Sequence, residues 1–306
     1  MSDASNGAGR DGGGRGRRAA EATGRLEVRK TYKLFVGGAF PRSESGRSYV
    51  VTAADGSRLA NAALASRKDA RDAVVAARNA QPGWWSATAY NRGQVLYRLA
   101  EMLEGRLDQF AAEVGAAEGL AGRAARRAVA ASIDRLVWYA GWSDKFAQVA
   151  GSSNPVAGPY FDFSLPEPSG VVAVLAPQDS SLLGLVSVLA PVLVTGNAAV
   201  VVASEPRPLP AVTLSEVVAT SDVPSGVVNL LTGRTAELAP VLAAHMDVNG
   251  IDLTGTPPGE RQRLEQLAAD NVKRVLVLDE DWAAPPGLKR LRAFVETKTV
   301  WHPIGI

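Results

Sequence analysis

Five short runs of β-branched and aliphatic residues alternate with four segments of helical length in the second half of the chain. Unbroken apolar runs are typical of strands buried on both faces, and helical connections between them favour parallel pairing. The pattern therefore predicts an α/β fold, a doubly wound parallel sheet with helices on both faces. The five predicted strands are residues 171–175, 199–202, 227–231, 250–253 and 274–278, and the predicted helices lie near 182–194, 209–220, 235–244 and 258–269.

The residues before this sheet predict mainly helices. Segments 34–36 and 48–51 are short and extended, and we interpret them as the two strands of a hairpin. Ser66 is a candidate N-cap for a first helix, which the pair Pro82–Gly83 is expected to end. Two more packing helices are expected over residues 91–114 and 123–146.

Composition limits the classes of partner. The chain has 306 residues, of which 46% are hydrophobic, and its formal net charge is +2. Residues 1–27 are rich in Gly and Arg and predict a disordered tail. Part of the basic excess lies in this tail, so the rest of the chain is close to neutral and no nucleic-acid partner is expected. No apolar stretch predicts a membrane span, and no charged start followed by an apolar region opens the chain. We therefore expect a cytoplasmic location.

Cysteine does not occur in the sequence, and histidine occurs only twice. Disulfides, thiolate metal sites and covalent catalysis by a cysteine are thereby excluded for this chain. His245 and His302 have no second ligand at metal-binding spacing, so no metal site is expected either.

A series of ordered segments resembles the cofactor domain of aldehyde dehydrogenases. The resemblance extends from Lys33 to Leu278. Its clearest segments are Gly-Val-Val-Ala-Val-Leu-Ala-Pro at 170–177, Thr-Gly-Asn at 195–197, Ser-Glu at 204–205, Val-Pro-Ser-Gly-Val-Val-Asn at 223–229, Thr-Gly at 232–233 and Leu-Thr-Gly-Thr at 253–256. We predict the family's fold, with N-terminal helices and a C-terminal assembly strand.

The resemblance implies a site for NAD or NADP, but the sequence departs from the family's pattern in two segments of that site. Family members carry a lysine two residues before the serine of a Lys-Pro-Ser-Glu segment, which here reads Val-Ala-Ser-Glu and ends at Glu205. Pro257 and Pro258 remove two N–H groups from the helix start that would face the pyrophosphate. Cofactor binding is therefore expected to be weak or lost. The candidate cofactor residues are Ala176, Pro177, Ser204, Glu205, Gly233, Gly255 and Thr256.

At the positions where the family carries its catalytic groups, this sequence has other residues. Asp179 stands where the family places the asparagine that donates to the oxyanion, and a carboxylate there would repel the developing charge. Leu278 stands roughly where the family's general-base glutamate belongs. With no cysteine in the chain, we expect no catalytic residue.

Residues 294–301 resemble the family's C-terminal assembly arm, and only residues 280–293 separate them from the nucleotide-binding part. No catalytic domain folds in so short a segment. We therefore divide the chain into a tail (1–27), a cofactor-type domain (28–279) with an assembly hairpin at 160–168, and a linker with an oligomerisation arm (280–306).

These features favour a non-catalytic homologue that acts as a structural or regulatory subunit. Its expected partner is a full-length aldehyde dehydrogenase or a second copy, bound through 160–168 and 294–302, with no nucleic acid and no membrane. Two alternatives stay open: NAD(P)-dependent aldehyde oxidation completed in trans by a partner subunit, and a stand-alone nucleotide-binding module.

Overall fold

The N-terminal strands form a small sheet of their own. The computed structural model describes residues 30–305, so the expected tail at 1–27 lies outside the described residues. The strands β1 (Thr31–Tyr32), β2 (Ser48–Thr52) and β3 (Arg58–Ala63) pair in the order β1-β3-β2. The predicted hairpin is wrong, because the strand that pairs antiparallel with β2 is β3. Phe35 instead exchanges two backbone hydrogen bonds with Leu230 of the main sheet, which buries its ring in the core.

Five helices follow, and their ends correct three predictions. Ser66 caps the first helix as predicted, and with Asp69 it forms a capping box. Pro82 does not end that helix; the last turn is held by Trp84, which is buried and donates from Nε1 to the Leu193 carbonyl at 2.9 Å. Helices end at Gly105 and at Gly141, inside the two long helices predicted over 91–114 and 123–146. Each predicted helix is therefore divided into shorter ones. The helices are α1 (Arg67–Ser86), α2 (Ala89–Glu104), α3 (Leu107–Glu118), α4 (Gly122–Ala140) and α5 (Phe146–Ala150).

The central element is a five-stranded parallel sheet, which confirms the predicted fold class. Its strands are ordered β10-β9-β6-β7-β8, with every neighbouring pair parallel. Before the sheet, the chain forms the antiparallel pair β4 (Ser152–Asn154) and β5 (Tyr160–Pro168). The sheet and its connections are β6 (Val171–Leu175), α6 (Leu183–Val194), β7 (Ala198–Val202), α7 (Leu209–Thr220), β8 (Val228–Leu231), α8 (Thr235–Ala244), β9 (Gly250–Asp252), α9 (Pro258–Ala269) and β10 (Arg274–Leu276).

Both faces of this sheet are buried. Along β6, Val172 and Val174 pack into a core with α2, α3, α4, α6 and α7, while Val171, Ala173 and Leu175 pack into a second core with α1, α8 and α9. Alternate side chains of a strand point to opposite faces, so an aliphatic run without polar alternation fits a sheet covered on both sides. No helix within residues 30–305 is long and apolar enough to cross a membrane.

The last segment returns to the middle of the chain. After β10, a short helix α10 (Lys289–Ala293) leads into β11 (Val295–Pro303), which pairs antiparallel with β5 from Val295–Pro168 to Pro303–Tyr160. A second sheet of order β11-β5-β4 results, with β11 and β4 at its edges. The end of the segment predicted as a linker packs against the core, because Leu291 and the following Phe294 are buried there with α6.

Candidate functional site

The strand order reverses between β6 and β9, and a cavity lies at the carboxyl ends of these two strands. Chains of this topology bind ligands where the order of strands reverses. The cavity has a volume of about 390 Å³. It is lined by Pro177, Gln178 and Asp179 after β6, Thr254, Gly255, Thr256 and Pro257 after β9, and Leu278, Asp279, Glu280 and Trp282 after β10.

Gly255 fixes the close approach of the two loops. Its N–H donates to the Leu175 carbonyl at 3.0 Å, and a Cβ added at this position would lie 2.0 Å from the Ala176 oxygen. Only glycine lets the backbone after β9 come so near to the backbone after β6. Ala176 therefore packs against Gly255, and it does not itself line the cavity.

Gln178 ties the loop after β6 to the loop after β7. Its Nε2 donates to the Ala176 carbonyl at 2.7 Å, and its Oε1 accepts from the Glu205 N–H at 2.9 Å. Ser204 adds a bond from its Oγ to the Gln178 carbonyl at 3.2 Å. The loops after β6 and β7 are thus joined by hydrogen bonds within the chain, and the hydroxyl of Ser204 is used in them.

Glu205 is occupied by groups of this protein. Its carboxylate accepts from Arg234 through Oε1 and from the Thr235 N–H, at the start of α8, through Oε2 at 3.1 Å. Hydrogen bonding to Glu205 raises the pKa of Arg234 above its ordinary value, and burial followed by the charge of Glu205 raises the pKa of Tyr49 beside it. Each oxygen of this carboxylate therefore already accepts one hydrogen bond from the chain itself.

The cavity is acidic. Asp179, Asp279 and Glu280 are exposed carboxylates, and among the described residues that line it there is no lysine, arginine or histidine. At the start of α9 the prolines at 257 and 258 have no N–H, and the N–H of Glu260 donates to the Pro257 carbonyl. A pyrophosphate would meet repulsion here and few donors, so these residues do not fit a dinucleotide.

Behind the cavity lies a buried ion pair that sequence reasoning missed. Arg290 of α10 donates to Asp252 Oδ2 at 2.5 Å and to Glu280 Oε2 at 2.6 Å. The Asp252 side chain is 0% exposed and that of Arg290 is 3% exposed. Burial opposes the charge, yet Asp252 and Glu280 hold the pKa of Arg290 above its ordinary value. An acid inside an aliphatic strand was the available signal, because a buried carboxylate requires a partner.

The structure brings together only part of the predicted site. Pro177, Gly255 and Thr256 line the cavity with Asp179, whereas Ser204, Glu205 and Gly233 lie at the ends of β7 and β8, outside its lining. Gly233 has a φ of 150° and packs against the backbone of Ala65, so its role in the described structure is close packing. Leu278, which is predicted to stand roughly where the family has its base, also lines the cavity. The cofactor roles of these residues stay predictions.

This arrangement defines a doubly wound domain of nucleotide-binding type. A model of the aldehyde dehydrogenase family matches residues 40–278. The cytosolic 10-formyltetrahydrofolate dehydrogenase of Mus musculus is 32% identical over 266 residues, which cover 83% of this chain and 29% of that protein.

Solved structures agree with the family match. A putative aldehyde dehydrogenase from Burkholderia cenocepacia superposes with a TM-score of 0.76 at 30% identity, covering 80% of this chain and 51% of that chain. PnpE in complex with nicotinamide adenine dinucleotide gives a TM-score of 0.76 at 28% identity, covering 80% of this chain and 50% of that one. The chain belongs to the aldehyde dehydrogenase family, as its sequence predicted.

The match is partial in length. The chain spans about 29% of the first curated relatives and about half of the solved structures that it resembles. The family uses NAD or NADP, and a structure similar to this one holds NAD. Activity, cofactor and partners of this chain are therefore matters for proposal.

Proposed function

We propose that this chain is a non-catalytic member of the aldehyde dehydrogenase family that acts as a structural or regulatory subunit of a full-length aldehyde dehydrogenase. The observation that carries the proposal is the combination of a cofactor-type sheet without the family's reacting groups and a three-stranded sheet, β11-β5-β4, with exposed apolar side chains. We further propose that NAD or NADP binds weakly or not at all, and that the assembly is cytoplasmic.

The crevice supports the first half of the proposal. The chain offers no thiol, and the groups at the expected oxyanion and base positions are the carboxylate of Asp179 and the alkyl side chain of Leu278. Loss of one oxyanion donor costs about 3 to 4 kcal/mol of transition-state stabilisation. A negative charge in its place adds repulsion to that loss.

The sheet formed by β4, β5 and β11 supports the second half. Phe161, Phe163 and Leu165 alternate along β5 and share one face, where Phe161 is 49% and Leu165 43% exposed. On the opposite face the exposed rings of Tyr160 and Trp301 stack edge to face, with centroids 5.7 Å apart. Exposed aromatic side chains and unpaired strand edges are features of surfaces that bind another protein chain.

The polar side of this sheet is ordered before any partner binds. Asn154 donates to Asp162 at 2.7 Å and to Ser164 at 2.9 Å, and Ser164 is 2.9 Å from the hydroxyl of Thr299. These bonds connect all three strands. A partner that binds the exposed face of β5 therefore meets a preformed sheet, which lowers the entropy cost of association.

The purified chain alone should form no NADH from short aldehydes above the rate without protein. A full-length aldehyde dehydrogenase from the same organism serves as the positive control in the same fluorescence assay. Turnover by the chain alone at about 1 s⁻¹ or faster, the range of ordinary enzymes, would contradict the proposal.

Assembly should depend on the apolar face of β5. The variant Phe161→Ser with Leu165→Ser is expected to weaken association with the full-length enzyme about 100-fold, because each side chain contributes about 1.5 kcal/mol or more when buried. Native mass spectrometry of mixtures over a concentration series gives the dissociation constants.

The matched control is Tyr97→Ser with Val137→Ser. These residues are 47% and 39% exposed on α2 and α4, away from the β4-β5-β11 sheet. The control should associate like the unmodified chain. A chain that stays monomeric and captures no dehydrogenase subunit would refute the partner role, and a dimer of this chain alone would replace the partner by a second copy.

A further inference from the structure

Two buried oxygen atoms at the contact between α3 and α7 have no hydrogen-bond partner. They are Oε2 of Glu113 in α3 and Oγ1 of Thr213 in α7, each unpaired within residues 30–305. The two side chains are close enough for the Thr213 hydroxyl to act on the pKa of Glu113. Buried polar atoms normally have a partner, so an unpaired carboxyl oxygen beside an unpaired hydroxyl requires an explanation.

The cations near Glu113 are bound to a different carboxylate. Lys30 Nζ donates to Glu216 Oε1 at 3.2 Å, and Arg106 donates to Glu216 Oε2 at 2.7 Å. Within the part of the chain that the structure describes, Glu113 accepts only from a neutral amide, Gln109 Nε2, which is 3.1 Å from its Oε1. The Glu113 carboxyl therefore lies beside a second acid without an ion pair of its own.

Two further charged or titratable groups lie on the other elements packed here. On α4, which also packs against α3, Arg126 pairs with Asp108. On β1, the phenol of Tyr32 has its pKa raised by burial and then by the charge of Glu113. Burial likewise raises the pKa of Glu113 above its ordinary value. Glu113 therefore holds its proton more tightly than an exposed glutamate does.

We propose that the Glu113 carboxyl is protonated in the folded chain where exposed glutamates are ionised, and that it donates from Oε2 to Thr213 Oγ1 as a clasp between α3 and α7. One proton then gives both unpaired oxygens a partner. After deprotonation the Thr213 hydroxyl can still donate, but a buried negative charge then lies beside that of Glu216, and the repulsion favours separation of the helices. The clasp is independent of the subunit role proposed above.

The direction of the pH dependence follows from the raised pKa of Glu113. A group whose pKa is higher in the folded than in the unfolded chain stabilises the fold fully at pH values below its unfolded pKa. That stabilisation is lost as the pH rises through the folded pKa. The contact between α3 and α7 should therefore be tightest in acid and loosen as the pH rises.

Urea unfolding of the full chain and of Glu113→Gln at a series of pH values tests the clasp. The glutamine amide can donate to Thr213 at every pH. The equilibrium constant of unfolding of the unmodified chain, divided by that of the variant, should therefore rise severalfold between about pH 4 and about pH 8. The matched control is Glu104→Gln, which removes an exposed carboxylate of α2 and should give a ratio that does not change with pH.

Amide hydrogen exchange tests the opening of the clasp. At the upper end of the pH series, exchange in α3 and α7 should be faster in the unmodified chain than in Glu113→Gln at the same pH. The difference should disappear in acid. Exchange that is equal in the two proteins at every pH would show that no clasp opens.

Carbon-13 NMR of the glutamate side-chain carboxyls in the unmodified chain reports the protonation without relying on a folded variant. One carboxyl, assigned to Glu113 through its backbone, should titrate above the range of the exposed glutamates. A Glu113 carboxyl that titrates with the exposed ones, or a ratio of unfolding constants that is independent of pH, would each overturn the proposal.

Discussion

Replacing Arg290 by methionine should lower the free energy of unfolding by about 3 to 5 kcal/mol, the usual result of removing one partner of a buried ion pair. Methionine keeps the length and the apolar stem but leaves Asp252, which is fully buried, without its counter-charge. Only Thr254 remains to donate to that carboxylate, through its N–H at 3.0 Å and its hydroxyl at 2.5 Å. Urea unfolding followed by circular dichroism measures the change.

Two comparisons separate the stability effect of the buried ion pair from the effect of removing any arginine charge. Arg274→Met breaks the exposed pair with Glu296, whose side chains are 40% and 56% exposed, and it should cost less than about 1 kcal/mol. Arg290→Met combined with Asp252→Leu removes both charges and should recover much of the lost stability. If Arg290→Met unfolds at the same urea concentration as Arg274→Met, the segment 280–294 is not anchored as described.

Replacing Gly255 by alanine should destabilise the fold by about 3 kcal/mol or more, at the upper end of what overpacking usually costs. The added Cβ would lie 2.0 Å from the Ala176 oxygen and 2.5 Å from its carbonyl carbon, and neither is the end of a flexible side chain. The loops after β6 and β9 must then separate, which also opens the cavity between them. Thermal unfolding with a calorimeter gives the loss.

Gly259→Ala provides the matched control four residues further on. A Cβ at Gly259 meets nothing within 4 Å, and the residue lies in the first turn of α9. Alanine there should stabilise the helix by up to about 1 kcal/mol, because it loses less backbone entropy than glycine. Equal effects of the two substitutions would mean that Gly255 is not a contact point.

The sequence predicted the main sheet well because its strands carry their own signal. The runs at 171–175 and 250–253 are aliphatic, short and separated by helical segments, and each became a strand of the expected order of elements. Residues 34–36 carry the same local signal, but their position is decided by a distant edge: Phe35 pairs with Leu230. The local pattern does not determine which strand such a segment pairs with, because packing against distant residues decides it.

The site was less predictable for the same reason. Motif positions located Gly255 and Thr256 in the crevice, whereas the state of Glu205 depends on Arg234, which belongs to another loop. Arg290 lies 38 residues from Asp252, so no spacing rule connects the two. Contacts between side chains of different loops follow from the fold and are not written in any one segment.

The β4-β5-β11 sheet also sets the order of events during synthesis. Ser164 of β5 and Thr299 of β11 are 135 residues apart, so at a translation rate of about 5 to 20 residues per second β11 is synthesised roughly 7 to 27 s after β5. During that interval β5 leaves the ribosome with one edge unsatisfied and its aromatic residues accessible. Subunits that join through this sheet can therefore meet only once β11 has been synthesised.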